Sequence, residues 1–190
     1  MICESKLHWA RDCPDAYENK EEAKSNDIYN EEENDEIVHM TLFVGYANAT
    51  TAQSAKLQSL ISESHGHVVL DTGCSSTVCG SKWYETYVNE LSEYDQSKIV
   101  ENYSASTFTF GDGIMVQSLK KVVLPCYLGG DRSTITADVV ECDIPMLLSK
   151  RSMKKANMCL NFRNDTVKIG NHIIQLVSST SGHYLLPITL

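Results

Sequence analysis

The 190-residue chain holds no run of about 18 apolar residues, the length a helix needs to cross a bilayer, so no helical membrane span is expected. Its first residues, "MICESKLHWARDC", lack the apolar stretch of a secretory signal. On that reading the protein is expected to stay in a reducing compartment, the cytoplasm, with no membrane partner. An even disulfide framework is missing too. Seven cysteines are scattered along the chain, which suits free thiols better than bridges. No self-similarity occurs at the periods of solenoid repeats, which excludes stacked-repeat architectures. Even the acidity is local. The net charge is -9, yet Asp12–Glu36 carries eleven acids against Lys20 and Lys24, and the remainder holds fourteen acids and fourteen bases. A strongly charged folded surface is therefore not expected.

What is present is enough apolar content, 42%, to bury a core. Three regions differ in character. Residues 1–14 carry Cys3, His8 and Cys13. Residues 15–36, "DAYENKEEAKSNDIYNEEENDE", are polar and nearly free of aliphatics, the composition of a solvated spacer. Residues 37–190 read as one domain. There "IVHMTLFV" alternates as a half-buried strand would, with Val38, Met40, Leu42 and Val44 on one face. "TTAQSAKLQSLISES" tolerates a helix, and "HVVLD" is a buried strand. "SKWYETYVNELS" places Trp83, Tyr84, Tyr87, Val88 and Leu91 on one helical stripe, with Ser81 as N-cap. "STFTF" and "IMVQS" flank Gly111-Asp112-Gly113 as a hairpin, and "KKVVLPCYL" and "STITADVV" flank Gly129-Gly130 as a second. "MLL" is a short buried strand before the basic helical turn "SKRSMKKA". "NMCLNF", "TVKI" and "HIIQLV" continue the strand pattern, while "SGHYLLPI" reads either as a last strand or as a leader into a following region. Many short strands with few helices define an all-β class.

Within that pattern, "HVVLDTGCSSTVCG" runs a buried strand straight into Asp71-Thr72-Gly73. Burying a carboxylate is costly, so the acid serves either a turn or chemistry. Gly73 permits a tight turn that lifts the acid from the sheet edge, and Thr72, Ser75 and Ser76 offer hydroxyls to hold it. Two such acids about 3 Å apart cannot both ionise, and the shared proton lets them activate water by general acid–base chemistry. The plain alternative is an Asp that starts a turn. Elsewhere the plain readings prevail. His65 and His67 belong to a loop, Cys74 and Cys79 are small buried residues, and "KRSMKK" is a solvated helix face.

"VVLDTGCSSTVCG" resembles the active-site segment of retropepsin-like aspartic proteases, the retroviral and retrotransposon type encoded within gag-pol polyproteins. "FTFGDGIMV" resembles that family's flap, and "DIPMLLSKRSMKKANMCLNFRNDTVKIGN" its segment of two apolar residues, glycine, helix and strand. The resemblance implies a closed or partly open β-barrel with one or two short helices and a catalytic site at Asp71, Thr72 and Gly73. It also implies that flap residues Phe110, Gly111, Asp112 and Gly113 contact substrate. It implies peptide-bond hydrolysis without a cofactor, acting on polyprotein segments in the cytoplasm or in virus-like particles. Only one Asp-Thr-Gly is present, and the chain is too short for two lobes. The second Asp71 is then expected from an identical chain, across a two-fold axis. Ser149 stands where the family carries glycine, and its side chain is expected to crowd the backbone behind the active-site loop.

"CESKLHWARDCP" resembles the end of a retroviral-type zinc knuckle. Cys3-x4-His8-x4-Cys13 matches the last three ligands of C-x2-C-x4-H-x4-C, and the first cysteine would fall one residue before Met1. Zinc takes four such ligands, so this remnant is expected to hold the metal weakly. Lys6, Trp9 and Arg11 would suit contact with single-stranded nucleic acid. The competing functional readings are therefore a catalytically inactive retroelement remnant and a knuckle-type RNA-binding fragment.

Overall fold

The computed structural model describes residues 37–39, 58–111 and 113–189. The zinc-ligand pattern at Cys3, His8 and Cys13, the acidic spacer and the alternation at 40–44 lie outside them. In chain order the elements are β1 (Ile37–His39), a helical segment α1 (58–63), β2 (His67–Asp71), β3 (Val78–Gly80), α2 (Ser81–Glu90) and α3 (Glu93–Gln96). Next come β4 (Val100–Asn102), β5 (Thr107–Thr109), β6 (Met115–Leu128), β7 (Asp131–Val140), β8 (Leu147–Ser149) and α4 (Lys150–Lys155). The chain closes with β9 (Cys159–Asn161), β10 (Thr166–Ile169), β11 (His172–Gln175), β12 (Val177–Ser178) and β13 (Tyr184–Pro187). Among the described residues no helix is long and apolar enough to cross a membrane.

Ten strands form one sheet in the order β1-β5-β6-β7-β3-β8-β2-β13-β12, with β4 added on β6, and β9, β10 and β11 form a separate antiparallel sheet. The mostly β class agrees with the sequence pattern, and of the closed or partly open barrel expected, the described residues show an open sheet. The path ends at β1 and β12, which do not pair with each other. These edge strands have three and two residues, too few ladder groups to seal a cylinder.

The middle of the sheet explains why its strands read as unbroken apolar runs. Successive side chains on a strand point to opposite faces. Val68, Cys79, Val139, Leu148 and Leu186 enter one buried cluster, while their neighbours Val69, Val78, Val140, Leu147 and Leu185 enter another. The wall β7-β3-β8-β2-β13 thus separates two cores, and each buried aliphatic contributes about 1.5–3 kcal/mol. "SGHYLLPI", left open between a last strand and a leader, supplies β13, which runs antiparallel to β2 with Leu185 opposite Val69.

α2 follows its aromatic stripe. Trp83, Tyr84 and Tyr87 are buried, and the Trp83 and Tyr87 rings stack with centroids 5.1 Å apart. The Tyr87 hydroxyl donates to the Pro125 carbonyl at 2.8 Å, and the Trp83 indole to that of Ser64 at 3.2 Å. The N-cap is Gly80 rather than the expected Ser81, which is the first helical residue and donates to Glu141 at 3.2 Å. The helix begins directly where β3 stops, leaving no residue between strand and helix for a side-chain cap.

The two strands expected either side of residue 119 are one 14-residue strand, β6. Its first part pairs with β5 and its second with β7, with a register shift between Ser118 and Lys120. A bulge of this kind bends a strand without ending it. Gly129 (φ 62°) and Gly130 (φ 91°) close the β6–β7 turn as expected, in the left-handed conformation that such two-residue turns require.

Gly80 shows how tightly the wall is packed. A Cβ there would lie 2.1 Å from the Cys142 carbonyl oxygen and 2.8 Å from that of Ile144. Both are backbone atoms that cannot step aside. Gly80→Ala is therefore expected to cost at least about 2 kcal/mol, read as a lower urea midpoint. An unchanged midpoint would show that the wall yields at this point.

Candidate active site

Two parallel neighbours place the candidate acid. β2 pairs with β8 in parallel register, with Asp71 opposite Ser149, so both strands deliver their last residues to the same end of the wall. There the chain turns. Gly73 N–H donates to Asp71 Oδ1 at 2.8 Å, and Cys74 N–H to the Asp71 carbonyl at 3.2 Å. Asp71 Oδ2 is buried and has no hydrogen-bond partner among the described residues. Among the described residues, the backbone N–H of Gly73 is a group that holds the carboxylate. Thr72 and Gly73 are exposed, which leaves the rim of the loop open.

Ser149 does not crowd the loop. It is 1% exposed, and its oxygen sits in a ring of three hydroxyls. Thr77 Oγ1 donates to Ser149 Oγ at 3.1 Å, Ser149 Oγ donates to Ser152 Oγ at 3.3 Å, and Ser152 and Thr77 close the ring at 2.7 Å. Two backbone groups use the remaining acceptor sites: Ser149 N–H reaches Thr77 Oγ1 at 3.1 Å, and Ser152 N–H reaches Ser149 Oγ at 3.2 Å. The second bond makes Ser149 the N-cap of α4. A buried hydroxyl without partners costs a few kcal/mol, and this set leaves no such debt. Lys150 N–H then donates to the Cys74 carbonyl at 3.1 Å, tying α4 to the loop. Sequence reasoning missed Thr77 and Ser152. For Thr77 the signal was the run of small hydroxyl residues after the Asp-Thr-Gly, read only as local support for the acid; Ser152, in the basic helical turn, gave none.

The hairpin expected to act as a flap is formed by β5 and the start of β6. Gly113 N–H donates to the Phe110 carbonyl at 2.8 Å, and Gly113 has φ 79°, a conformation that favours glycine. Gly111 is exposed, and Asp112 lies outside the described residues. Phe110 is a core residue. With Phe108 it joins Val69, Cys74 and Val78 in one buried cluster, so the hairpin base packs onto the core beneath the Asp71 loop. The exposed apolar side chains at the tip are Ile114 and Met115.

Electrostatics argue against thiol chemistry in the loop. Burial, reinforced by the negative charge of Asp71, pushes the Cys74 thiol up to about 12, although it donates to the Ser76 carbonyl at 2.6 Å. Cys74 therefore stays protonated at neutral pH and is a poor nucleophile. Burial also pushes Cys79 up. Outside the loop, a cleft of about 390 Å³ runs between residues 72–75 and the side chains of Lys150, Arg151 and Lys154. The basic helix face thus flanks the loop. Among the described residues, no cluster of His, Cys, Asp and Glu could hold a metal ion.

No family model matches the chain, and no curated protein matches it. Among solved structures it is similar to the retroviral protease-like domain of Ddi1 from Leishmania major. The identity is 12%, the match covers 57% of this chain and 87% of that chain, and the TM-score is 0.34. At that identity and score the likeness says nothing about chemistry, which rests on the side chains themselves.

Two outcomes test this geometry. Ser149→Gly leaves the Thr77 hydroxyl and the Ser152 N–H without their acceptor, so it should lower stability by about 1–2 kcal/mol. A higher thermal midpoint would restore the crowding expectation. With iodoacetamide at pH 8, exposed Cys159 should label in the folded protein and Cys74 only after unfolding. Comparable labelling of the two in the folded state would contradict the buried, protonated thiol.

Proposed function

We propose that this chain is an aspartic endopeptidase, its site completed by the Asp71 of a second copy. The observation that supports this best is the state of the Asp71 carboxylate. One oxygen is held by the Gly73 N–H, while the other is buried without a partner among the described residues. A buried acceptor left unmet is costly. Sharing a proton with a second carboxylate, and holding a water between the two, removes that cost and supplies the chemistry.

In this scheme one Asp71 is ionised and the partner's Asp71 is protonated. The ionised carboxylate takes a proton from water as the oxygen attacks the peptide carbonyl carbon. The protonated carboxyl gives its proton to the carbonyl oxygen. As the diol intermediate collapses and the C–N bond breaks, the carboxyl that took the water's proton gives it to the departing amine, and the other carboxylate takes a proton from a diol hydroxyl, which restores the pair. The substrate is an extended peptide, of the kind a polyprotein linker offers. The hairpin would close over it, with exposed Ile114 and Met115 as the apolar contacts.

Peptide turnover should fall on dilution through the dimer dissociation constant, since each chain holds half a site. Asp71→Asn should lose at least about a hundredfold in kcat, and excess Asp71→Asn chains should poison wild-type activity. The pH profile should be bell-shaped on the acid side of neutrality, with two apparent pKa values that belong to the pair. Turnover by a monomer independent of concentration would overturn the scheme. A dimer that never turns over would identify a catalytically silent remnant.

A further inference from the structure

We propose that Asp138 is a positioning residue, a buried carboxylate that latches the base of the β5–β6 hairpin and thereby sets how readily the hairpin opens. The inference rests on the protease reading above only in assigning that hairpin to substrate closure. Asp138 lies on β7 opposite Val78 of β3 and Lys121 of β6, and is 4% exposed. Its Oδ1 accepts from Ser104 Oγ at 2.5 Å and from Ser118 Oγ at 2.9 Å. These two serines bracket the hairpin: Ser104 stands before β5, and Ser118 stands where β6 leaves β5. The bracket is closed on itself, because Ser118 N–H donates to the Ser106 carbonyl at 2.8 Å and Ser106 N–H to Ser104 Oγ at 3.3 Å.

The placement coincides with the one irregularity in β6. Between Ser118 and Lys120 the strand shifts register as it passes from β5 to β7. A bulge weakens the ladder locally, so a strand that changes partners there can pivot unless something fixes it. One oxygen bonded to both arms does so. Among the described residues no cation pairs with Asp138, since Lys120 is engaged with Glu101 at 2.6 Å. A buried carboxylate without a counter-ion is an expensive way to fill space. Charge-assisted bonds to two hydroxyls are what it supplies in return, and those are stronger than neutral ones.

The test compares wild type, Asp138→Asn, Ser118→Ala and the triple variant Ser104→Ala/Ser118→Ala/Asp138→Val by amide hydrogen exchange. The triple variant removes the carboxylate and both hydroxyls together, leaving only the half-buried Ser106 N–H without its long 3.3 Å bond, so folding should be preserved. Hairpin amides over 107–117 should exchange about tenfold faster or more in the triple variant and in Ser118→Ala, while those of β2 and of 121–128 stay protected. With a peptide substrate, KM should rise about threefold or more while kcat stays within about twofold, since an unlatched hairpin must be ordered on binding. Unchanged hairpin exchange in the folded triple variant would overturn the latch, and so would exchange that accelerates equally throughout the sheet. If wild type shows no peptide turnover, the protease reading falls while the exchange result still decides the latch.

Discussion

A sheet buried on both faces is the constraint on which this structure depends. Because β7, β3, β8, β2 and β13 each send alternate side chains into two separate cores, none of them can slide by one residue without exchanging one core's contents for the other's. Register is therefore held from both sides. That certainty is exported to the end of the wall, where the parallel pair β2 and β8 stops. The Asp71 turn and the start of α4 emerge together there, joined by the Lys150–Cys74 backbone bond. A loop built on such a base needs little stiffness of its own.

Polar groups are distributed with the same economy. Behind the loop, Thr77, Ser149 and Ser152 satisfy one another and two backbone amides. At the hairpin base, Asp138 gathers two serine hydroxyls. Only at Asp71 is a buried oxygen left without a partner among the described side chains, apart from Asp95 Oδ1. Arg132 Nη2 approaches that second oxygen to 2.8 Å, so its charge is compensated even where hydrogen-bond geometry is poor. The exception at Asp71 stands out because its surroundings are so well matched. Local mismatch within a consistent fold is what a functional position looks like.

Much of this was legible in the residues. The unbroken runs in "HVVLD" and "MLL" announced buried strands, Gly129-Gly130 announced a turn, and the Trp83–Tyr87 spacing announced a helix with one buried face. Asp71-Thr72-Gly73 stood out because a carboxylate followed an apolar run. The rest depended on contacts distant in sequence. Nothing local shows that Thr77 meets Ser149, that Asp138 meets Ser104, or that Phe110 turns into a core shared with Val69. Ser149 was misjudged because a side chain replacing glycine was weighed by its volume, when its hydroxyl completes a set of hydrogen bonds. The choice between a closed and a partly open barrel stayed undecided for a related reason. Closure depends on whether the two outermost strands meet, and strand patterns carry no information about that.

The position of β13 has a consequence for the order of folding. Strand β2, which carries Asp71, is bordered by β8 on one edge and by β13 on the other, and β13 is made more than a hundred residues later. Contacts of such long sequence separation form slowly, because a large loop must close before they contribute. During synthesis, the strand carrying Asp71 leaves the ribosome with both edges open, because β8 and β13 both lie far downstream, and the second edge waits for nearly all of the domain. An unpaired edge beside an apolar run invites pairing with other chains. The interval between emergence of β2 and arrival of β13 is thus when this chain is most exposed to misassembly, and the strand that ends the interval is also the one that completes the wall beneath Asp71.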